Sequence, residues 1–403
     1  MESRGRESNY AWLRAVTALA LITISAVGMY GVVVALKPVG MEFGASRAVA
    51  SVPYAATMLG FGFGGLLMGR WADRKGVFPP SILGVVALPL GFLAASQAQA
   101  IWQFAAAQGL LIGLLGASAF FAPLIADTTH WFDRRRGRAV ALVISGTYLA
   151  GAVWPPIVQH FIDAVGWRQT YLGLGLFCFA TMTPLCLVLR PRLPATTATG
   201  TGGLDHGPRR LPDPGILQGL LCCAGIGCCV AMSMPQVHIV PLVTDLGHAA
   251  QRGAEMLSLM LGCGIISRLG SGWISERIGG LDTLLLGSAL QALALILFMG
   301  VDGLTALYVM SALFGLSQGG IVPSYTLIVR RFFPESEAGR RIAAVLLATM
   351  AGMALGGWLA GLIYDLTGSY RWAFINAVAF NILNMAIAAW LRLRAGRPQP
   401  MPV

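Results

Sequence analysis

The stretch Gly69-Arg-Trp-Ala-Asp73-Arg-Lys-Gly76 decides the fold, because a second copy, Gly272-Trp-Ile-Ser-Glu276-Arg-Ile-Gly279, follows it at an offset of 203 residues. Two other patterns repeat at offsets of 201 and 202 residues: Trp131-Phe132 recurs as Phe332-Phe333, and Asp163-Ala-Val-Gly166-Trp-Arg168 recurs as Asp365-Leu-Thr-Gly368-Ser-Tyr-Arg371. Three ordered matches at nearly one offset divide the 403 residues into two equivalent halves. In a membrane chain, such a repeat is typical of solute transporters whose halves alternate around a central substrate path.

The composition predicts a membrane protein. Hydrophobic residues make up 56% of the chain and charged residues only 11%, whereas soluble domains carry about 25% charged residues. A helix needs about 20 mostly apolar residues to cross a bilayer. The sequence predicts twelve such helices, near residues 12–35, 49–69, 79–98, 102–126, 138–162, 171–189, 215–243, 254–275, 282–300, 304–329, 340–363 and 372–391. The predicted fold class is therefore an all-α membrane protein with twelve transmembrane helices in two six-helix bundles.

The basic residues predict the orientation of the chain. If the N-terminus is cytoplasmic, the inner loops and tails hold most of the arginines, and the outer loops hold only Lys37, Arg47, Arg168, Arg252 and Arg371. This asymmetry is typical of membrane proteins, whose basic loops stay inside. We therefore expect a multi-pass protein of the cell membrane with both termini in the cytoplasm, and the short loops favour a bacterial inner membrane. The net charge of +11 belongs to the same asymmetry, so it does not indicate nucleic-acid binding.

A polar segment between the halves predicts the domain boundary. Residues 190–214 are rich in proline, threonine and glycine and hold too few apolar residues for a folded insert, which is typical of a flexible linker. The sequence predicts an N-terminal six-helix bundle at 1–189, a cytoplasmic linker at 190–214 and a C-terminal six-helix bundle at 215–403.

Other classes of function lack their signals in the sequence. All seven cysteines fall within apolar spans. The cluster Cys222-Cys223-x4-Cys228-Cys229 has no histidine or carboxylate nearby in its span, so we expect packing residues rather than a metal or disulfide site. An intramembrane enzyme would need a nucleophile with its base, or metal ligands, inside the spans, and a sensor would need an output domain. The sequence shows none of these, and no Gly-x4-Gly-Lys-Ser/Thr loop, which favours gradients over ATP as the energy source. We expect no cofactor.

The repeated loop predicts a gate at the inner side of the membrane. Each copy ends a helix with glycine and places an acid–arginine pair at the boundary, Asp73 with Arg74 in one half and Glu276 with Arg277 in the other. An acid there caps a neighbouring helix start, and the arginine reaches carbonyl or carboxylate groups. A network of this kind locks one conformation of the bundles. The alternative is that these residues only anchor the loops at the membrane surface.

Several motifs resemble those of the major facilitator superfamily. The stretch 69–76 resembles the inner-loop signature of that family, and the copy at 272–279 is a weaker version. Other stretches are similar to its monocarboxylate-transporter and oxalate/formate-antiporter branch: Tyr30-Gly31 through Lys37-Pro38 to Glu42-Phe43-Gly44-x-Ser46-Arg47, Trp131-Phe132-x-Arg134-Arg135-Arg136-Gly137-x-Ala139, Pro155-Pro156, His238-x2-Pro241-x2-Thr244-Asp245-Leu246-Gly247 and Gly262-x5-Arg268-x3-Gly272. The resemblance spans the whole chain and implies a transporter of small organic anions.

Arg268 is the leading candidate for substrate binding. It lies about 20 Å deep in the eighth predicted span, slightly inside the midplane, where a guanidinium costs at least about 2.5 kcal/mol and is normally retained for function. No acid lies three or four positions away, where the residues are Gly264, Ile265, Ser271 and Gly272. This favours an anionic substrate held by bidentate hydrogen bonds. The resemblance implies the same role, because the branch holds its carboxylate with an arginine at this position. The alternative is a structural pair with a distant helix, through Asp127.

Depth counting places further groups near the midplane: Gly28 and Tyr30 in the first span, Ser118 and Phe121 in the fourth, Tyr148 in the fifth, Ser317 and Gln318 in the tenth, and Thr349 in the eleventh. Each alone is more often a packing residue, but together with Arg268 they predict a small, mostly apolar substrate cavity. Phe121 stands where the branch commonly has tyrosine, which leaves that wall more apolar. The eleventh span lacks the lysine of oxalate-type members, so the resemblance favours monocarboxylates over dicarboxylates.

His238 is the candidate for proton coupling, because it is the most deeply placed histidine and imidazole titrates near neutrality. The alternative is a histidine that is hydrogen-bonded near the outer face. Mammalian-type members of the branch carry an acid one turn before the arginine, where this chain has Gly264, so their coupling scheme does not transfer directly. The sequence predicts a secondary active transporter of small monocarboxylates, lactate- or pyruvate-like, that works by alternating access with protons as the coupling ion. The alternatives are an anion exchanger of the oxalate/formate type and an efflux transporter of drugs or metabolites.

Overall fold

The computed structural model describes residues 7–132, 134–190 and 213–395. Most of the linker predicted at 190–214 lies outside the described residues. Within them every regular element is helical, and twelve helical stretches are long and apolar enough to cross a membrane. The predicted all-α fold with twelve transmembrane helices is therefore confirmed.

The described part of the first half contains nine α-helices and one π-helical segment, Ala107–Ala117. The α-helices are α1 Asn9–Ser25, α2 Val27–Glu42, α3 Arg47–Lys75, α4 Phe78–Ser96, α5 Ile101–Ala106, α6 Ser118–Trp131, α7 Arg136–Ile144, α8 Gly146–Val165 and α9 Trp167–Val188. The second half contains α10 Pro214–Asp245, α11 Ala250–Ile278, α12 Gly280–Phe298, α13 Leu304–Gln318, α14 Ile321–Phe332, α15 Glu335–Thr367 and α16 Tyr370–Ala395. Four crossings join consecutive segments: α1 with α2, α5 with the π-helical segment and α6, α7 with α8, and α13 with α14.

The repeated motifs end helices in the same way in both halves. Gly76 follows α3 with a φ of 79°, and its counterpart Gly279 follows α11 with a φ of 83°. In the other repeated motif, Gly166 follows α8 with a φ of 82°, and Gly368 follows α15 with a φ of 68°. Only glycine adopts positive φ without strain. The repeat therefore preserves the residues that stop the helices.

The described chain forms two compact units. The first unit contains the first six crossings together with His238–Leu261, and the second unit contains α10 up to Val237 and the chain from Gly262 onward. These units differ from the sequence halves by the end of α10 and the start of α11. In the first unit, Ser258 Oγ donates a hydrogen bond to the carbonyl oxygen of Ala152, which helps to hold the start of α11. The domain boundary that the sequence predicts at the linker, residues 190–214, follows the sequence repeat and stays a prediction.

Small residues let α3 approach the fourth crossing closely. A Cβ on Gly60 would overlap the carbonyl oxygen of Gly109, and a Cβ on Gly113 would lie 2.7 Å from the carbonyl oxygen of Thr57. Such faces allow helix backbones to meet in lipid, where no hydrophobic effect drives the helices together. Gln108 of the π-helical segment accepts a 3.3 Å hydrogen bond from Thr57 and donates a 2.9 Å hydrogen bond to a tyrosine hydroxyl of α9. This packing fixes the helix that carries two of the predicted site residues.

Candidate functional site

Arg268 lies on α11, about 27 Å along the helix from Ala250. The 29 residues of α11 extend over about 43 Å, so a helix centred on a hydrocarbon core of about 30 Å places Arg268 about 20 Å from the predicted outer boundary. The residue is half-buried. These positions match the depth that the sequence predicts for an intramembrane guanidinium.

The junction between α13 and α14 crosses α11 at Arg268. A Cβ on Gly319 would lie 2.5 Å from the backbone nitrogen of Arg268, and the backbone nitrogen of Gly319 donates a 3.1 Å hydrogen bond to Ser267 Oγ. A Cβ on Gly320 would overlap the side chain of Ser271. The two glycines therefore let the tenth crossing touch the backbone of α11, and they fix the origin of the Arg268 side chain.

Two predicted site residues, Ser317 and Gln318, immediately precede this junction and are buried. Ser317 Oγ donates to the carbonyl oxygen of Phe314 at 2.7 Å, on its own helix. Gln318 Oε1 accepts a 2.5 Å hydrogen bond from Gln236 Nε2 of α10, and Gln318 Nε2 has no hydrogen-bond partner among the described residues. Ser317 and Gln318 therefore lie next to the contact between α11 and the α13–α14 junction, where Arg268 also lies. Sequence reasoning missed Gln236, although an amide within an apolar span was a visible signal.

The structure places Thr349 in a different contact of the second unit. Its Cγ2 would lie 3.1 Å from a Cβ on Gly225 of α10, and its Oγ1 donates to the carbonyl oxygen of Leu346 at 2.7 Å. Gly225 is about 16 Å along α10 from Gln236. Thr349 is fully buried and packs α15 against α10, away from Gln318.

Tyr30 of the first unit packs against a glycine of α8, the helix that carries Tyr148. The ring of Tyr30 lies 2.8 Å, at Cζ, from a Cβ built on Gly151. Tyr148 precedes Gly151 by three residues and so shares its helix face. Both tyrosines are half-buried. The structure therefore groups these two predicted residues on the first unit.

The remaining predicted residues of the first unit lie in helix contacts. Ser118 is fully buried, packs against Gly64 of α3, and donates to a carbonyl oxygen of its own crossing at 2.5 Å. Gly28 is buried where a Cβ would overlap the side chain of Ile112. Phe121 is half-buried, with its ring centroid 5.6 Å from that of Phe61. Ser118 and Gly28 lie in helix contacts and Phe121 is half-buried, and the substrate role of all three stays a prediction.

His238 begins the segment of α10 that belongs to the first unit. It lies about 10 Å along the helix from Asp245 and has 1% of its surface exposed. Its proton-coupling role stays a prediction.

Charged residues at the predicted outer side join the end of α10 to the first two crossings. Asp245 accepts from Lys37 Nζ at 3.1 Å and from Arg47 Nη2 at 2.8 Å. Lys37 Nζ also donates to Thr244 Oγ1 at 2.6 Å. Sequence reasoning placed Lys37 and Arg47 in the outer loops and quoted all these residues as motif matches, but it did not assign them to one cluster. The cluster explains why the end of α10 belongs to the first unit.

The repeated acid–arginine pairs at the predicted inner side are exposed. Asp73 and Arg74 lie at the end of α3, and Glu276 and Arg277 at the end of α11. Arg277 stacks over the Trp273 ring at 3.7 Å, and within the described ranges neither acid forms an ion pair. The gating role stays a prediction, and normal transport by an Asp73→Asn variant would contradict it.

The carboxylate suggested as a structural partner for Arg268 is engaged by another arginine. Asp127 accepts from Arg14 Nε at 2.7 Å and from Arg14 Nη2 at 3.0 Å, in a bidentate pair inside the first unit. Arg14 has 3% of its surface exposed. Arg14 is therefore the partner of Asp127 within the first unit, and a structural pair for Arg268 stays an alternative.

The family model of the Major Facilitator Superfamily matches residues 18–301 and 220–402. The chain belongs to the major facilitator superfamily. Monocarboxylate transporter 13 of Bos taurus is 27% identical over 340 residues, which cover 82% of this chain and 76% of the relative. Monocarboxylate transporter 11 of Mus musculus is 25% identical over 393 residues, covering 93% and 86%. The MFS-type transporter opdF of Penicillium oxalicum is 27% identical over 346 residues, covering 81% and 76%.

A solved structure shares the fold of this superfamily member. It is a bacterial homologue of the human lysosomal transporter Spinster in an inward-facing and occupied conformation, with a TM-score of 0.74 and 13% identity. The match covers 98% of this chain and all of that chain. The relatives are transporters, so the chain is a membrane transporter of this superfamily and not an enzyme.

Replacing Asp245 with Asn should weaken the outer cluster, because it removes the charge that accepts from Lys37 and Arg47. The three side chains are 18–27% exposed, so we expect a loss of about 1–2 kcal/mol of stability. Thermal unfolding of the purified protein in detergent measures the change. Glu255→Gln is the matched control, since it breaks an exposed pair with Arg252 at 3.2 Å that contributes about 0.5 kcal/mol or less. Equal stability of the two variants would contradict the cluster's role.

Proposed function

We propose that this superfamily member is a secondary active transporter that moves small monocarboxylates across the membrane by alternating access. Its similarity to monocarboxylate transporters 11 and 13 supports the substrate class. The motif Gly262-x5-Arg268-x3-Gly272 supports the same branch of the superfamily. The observation that carries the proposal is the position of Arg268, deep in α11 at the crossing with the α13–α14 junction.

The contact between α11 and the α13–α14 junction fixes the backbone position from which the Arg268 side chain reaches an anion. A Cβ on Gly319 would lie 2.5 Å from the backbone nitrogen of Arg268, and Ser267 next to it accepts a hydrogen bond from the backbone nitrogen of the same glycine. A side chain with a fixed origin can hold its guanidinium in a narrow range of positions. The planar fork of that group then orients a carboxylate through two parallel hydrogen bonds. In a low-dielectric surrounding these charge-assisted bonds are stronger than in water.

Gln318 is the proposed second polar contact of the substrate. Oε1 of Gln318 already accepts a hydrogen bond from Gln236, so Nε2 of Gln318 is the atom left to donate to a substrate. A donor beside a carboxylate site suits a hydroxyl or keto oxygen next to the carboxyl group. Gln318 is fully buried, so this contact requires the surrounding helices to separate during the cycle. Tyr30, Tyr148 and Phe121, which keep exposed surface, stay proposed substrate contacts of the first half.

We propose proton symport as the mode of coupling, with His238 as the proton carrier. Its position supports this role, because it is buried within a membrane-spanning helix and imidazole is the side chain suited to carry a proton near neutral pH. Anion exchange of the oxalate/formate type is the alternative. In proteoliposomes without internal anion, symport predicts uptake of labelled lactate driven by an inward proton gradient, whereas exchange predicts none. A His238→Gln variant with wild-type gradient-driven uptake would remove His238 from the proposal.

Efflux of a larger metabolite is the second candidate function. The aromatic pair of Phe61 and Phe121, which offers an apolar surface, favours it. Expression of the protein in a drug-sensitive host separates the two functions. Broad resistance without uptake of any monocarboxylate would favour efflux.

Changes at Arg268 test the proposal. Arg268→Gln should abolish binding of a monocarboxylate, because the loss of one buried charge-assisted partner costs about 2–5 kcal/mol, or roughly thirty- to several-thousand-fold in affinity. Arg268→Lys should also bind weakly, since an ammonium lacks the planar fork. Uptake of labelled lactate and pyruvate into proteoliposomes measures both variants.

Arg252→Gln is the matched control, because it removes an arginine from the exposed start of the same helix. It should retain uptake. Near wild-type uptake by a folded, inserted Arg268→Gln variant would overturn the anion site and leave efflux of a neutral or cationic solute as the better reading.

A further inference from the structure

Hydrogen bonds between buried side chains join three helices of the second unit. Asn384 of α16 accepts a 2.8 Å hydrogen bond from the hydroxyl of Tyr325 on α14, and its Nδ2 donates to Ser288 Oγ on α12 at 2.7 Å. The three residues have 0–1% of their surface exposed. The Asn384 amide is therefore bonded at its oxygen and at its nitrogen, and each bond leads to a different helix.

The bond from Tyr325 differs from those of the neighbouring hydroxyls. Ser324 donates to the carbonyl oxygen of Gly320 and Thr326 to that of Pro323, both at 2.7 Å and both within the tenth crossing. A tyrosine hydroxyl lies at the far end of its ring, beyond reach of the backbone of its own helix, so it needs a partner on another element when it is buried. Because no hydrophobic effect drives helices together in lipid, such a bond contributes directly to holding α14 against α16.

Tyr325 lies close to the α13–α14 junction that contacts Arg268. It is about 6 Å along α14 from Ile321, the first residue of that helix. The junction continues into α14, since the backbone nitrogen of Ser324 donates to the carbonyl oxygen of Gly320 at 3.2 Å. A displacement of α14 at Tyr325 therefore moves the two junction glycines, which pack against the backbone of α11 at Arg268.

The other bond of Asn384 leads to the same junction through α12. Ser288 follows Gly287, whose Cβ position lies 3.0 Å from the side chain of Ile321 and 3.2 Å from the carbonyl oxygen of Ser317. The junction thus packs against α12 as well as against α11. Asn384 is bonded both to the helix that continues from the junction and to a helix that packs on it.

We propose that Tyr325 and Asn384 are positioning residues for substrate binding, because their hydrogen bond holds the α13–α14 junction against the backbone of Arg268. This inference rests on the proposed binding of a carboxylate by Arg268. Neither residue touches the substrate; both set the backbone position from which the guanidinium reaches it. Hydrogen bonds weaken steeply when donor and acceptor are misaligned, and a bidentate pair requires two aligned bonds at once. A small displacement of the junction therefore lowers the affinity for the acid.

The two asparagines of α16 provide a matched pair for the first test. Asn381, one turn before Asn384, is also fully buried, and its Nδ2 donates to the carbonyl oxygen of Ser288 at 2.8 Å. Its Oδ1 has no hydrogen-bond partner among the described residues, so its bond joins α16 to α12 and not to α14. Asn381→Leu and Asn384→Leu should both lower the thermal unfolding temperature, because each removes a buried bond between α12 and α16.

Only the variants that break the bond to α14 should weaken substrate binding. Tyr325→Phe should lower the affinity for lactate or pyruvate by about two- to ten-fold, the effect of one net hydrogen bond, and Asn384→Leu by at least as much. Asn381→Leu should bind as the wild type does. The double variant of Tyr325 and Asn384 should bind no more weakly than Asn384→Leu alone, since both changes remove the same bond. Calorimetric titration of the purified variants measures the affinities.

Hydrogen–deuterium exchange of the full-length protein without substrate follows the junction itself. The backbone nitrogen of Gly319 donates to Ser267 Oγ at 3.1 Å, so its exchange rate reports on the contact with α11. Tyr325→Phe should speed exchange at residues 318–321 by about two- to ten-fold, and Asn381→Leu should leave it unchanged.

Unchanged exchange in Tyr325→Phe would overturn the proposal, and so would faster exchange with wild-type affinity. Equal weakening of binding by Asn381→Leu and Asn384→Leu would overturn it as well, since the effect would then come from the packing of α12 on α16. Failure of the proposed function is distinguishable, because there the wild type itself binds an acid and its uncharged amide equally. That result would overturn this inference too, whatever the exchange of the variants.

Discussion

The bilayer interior solvates neither charges nor unpaired polar groups, and the arrangement of the polar side chains depends on this constraint. Arg14 meets Asp127 in a bidentate pair. Hydroxyls such as those of Ser118 and Thr349 donate to carbonyl oxygens of their own helices. Arg268 lies deep within the span of α11, at the point where the α13–α14 junction packs against the backbone of that helix. An anionic solute is the ligand that we propose for its guanidinium.

Close helix contact connects the fold to the proposed function. Glycines at the α13–α14 junction let this junction pack closely against α11, which places Ser317 and Gln318 next to the helix contact at Arg268. The same two residues would sit farther from α11 if the junction carried side chains. At the predicted outer side, Asp245 joins the end of α10 to Lys37 and Arg47 through partly exposed ion pairs.

Much of the fold could be predicted from the sequence, because the signals are local. Apolar runs gave the twelve crossings, and the repeated glycines Gly76 and Gly279 stop helices as the repeat predicts. The depth of Arg268 followed from helix rise alone. Residue partners were not predictable in this way, since Gln236 and Gln318 are 82 residues apart. Depth counting also gives no helix face, so the contact of Thr349 with Gly225 could not be predicted.

The central claim, that a carboxylate is bound by Arg268, is tested most directly on the unmodified protein. Calorimetric titration of the purified transporter should compare lactate and pyruvate with their uncharged amides, which have nearly the same shape. The claim predicts measurable binding of at least one acid and an affinity for its amide that is at least about thirty-fold weaker, because the amide loses the charge-assisted pair. Equal affinity for an acid and its amide would contradict it.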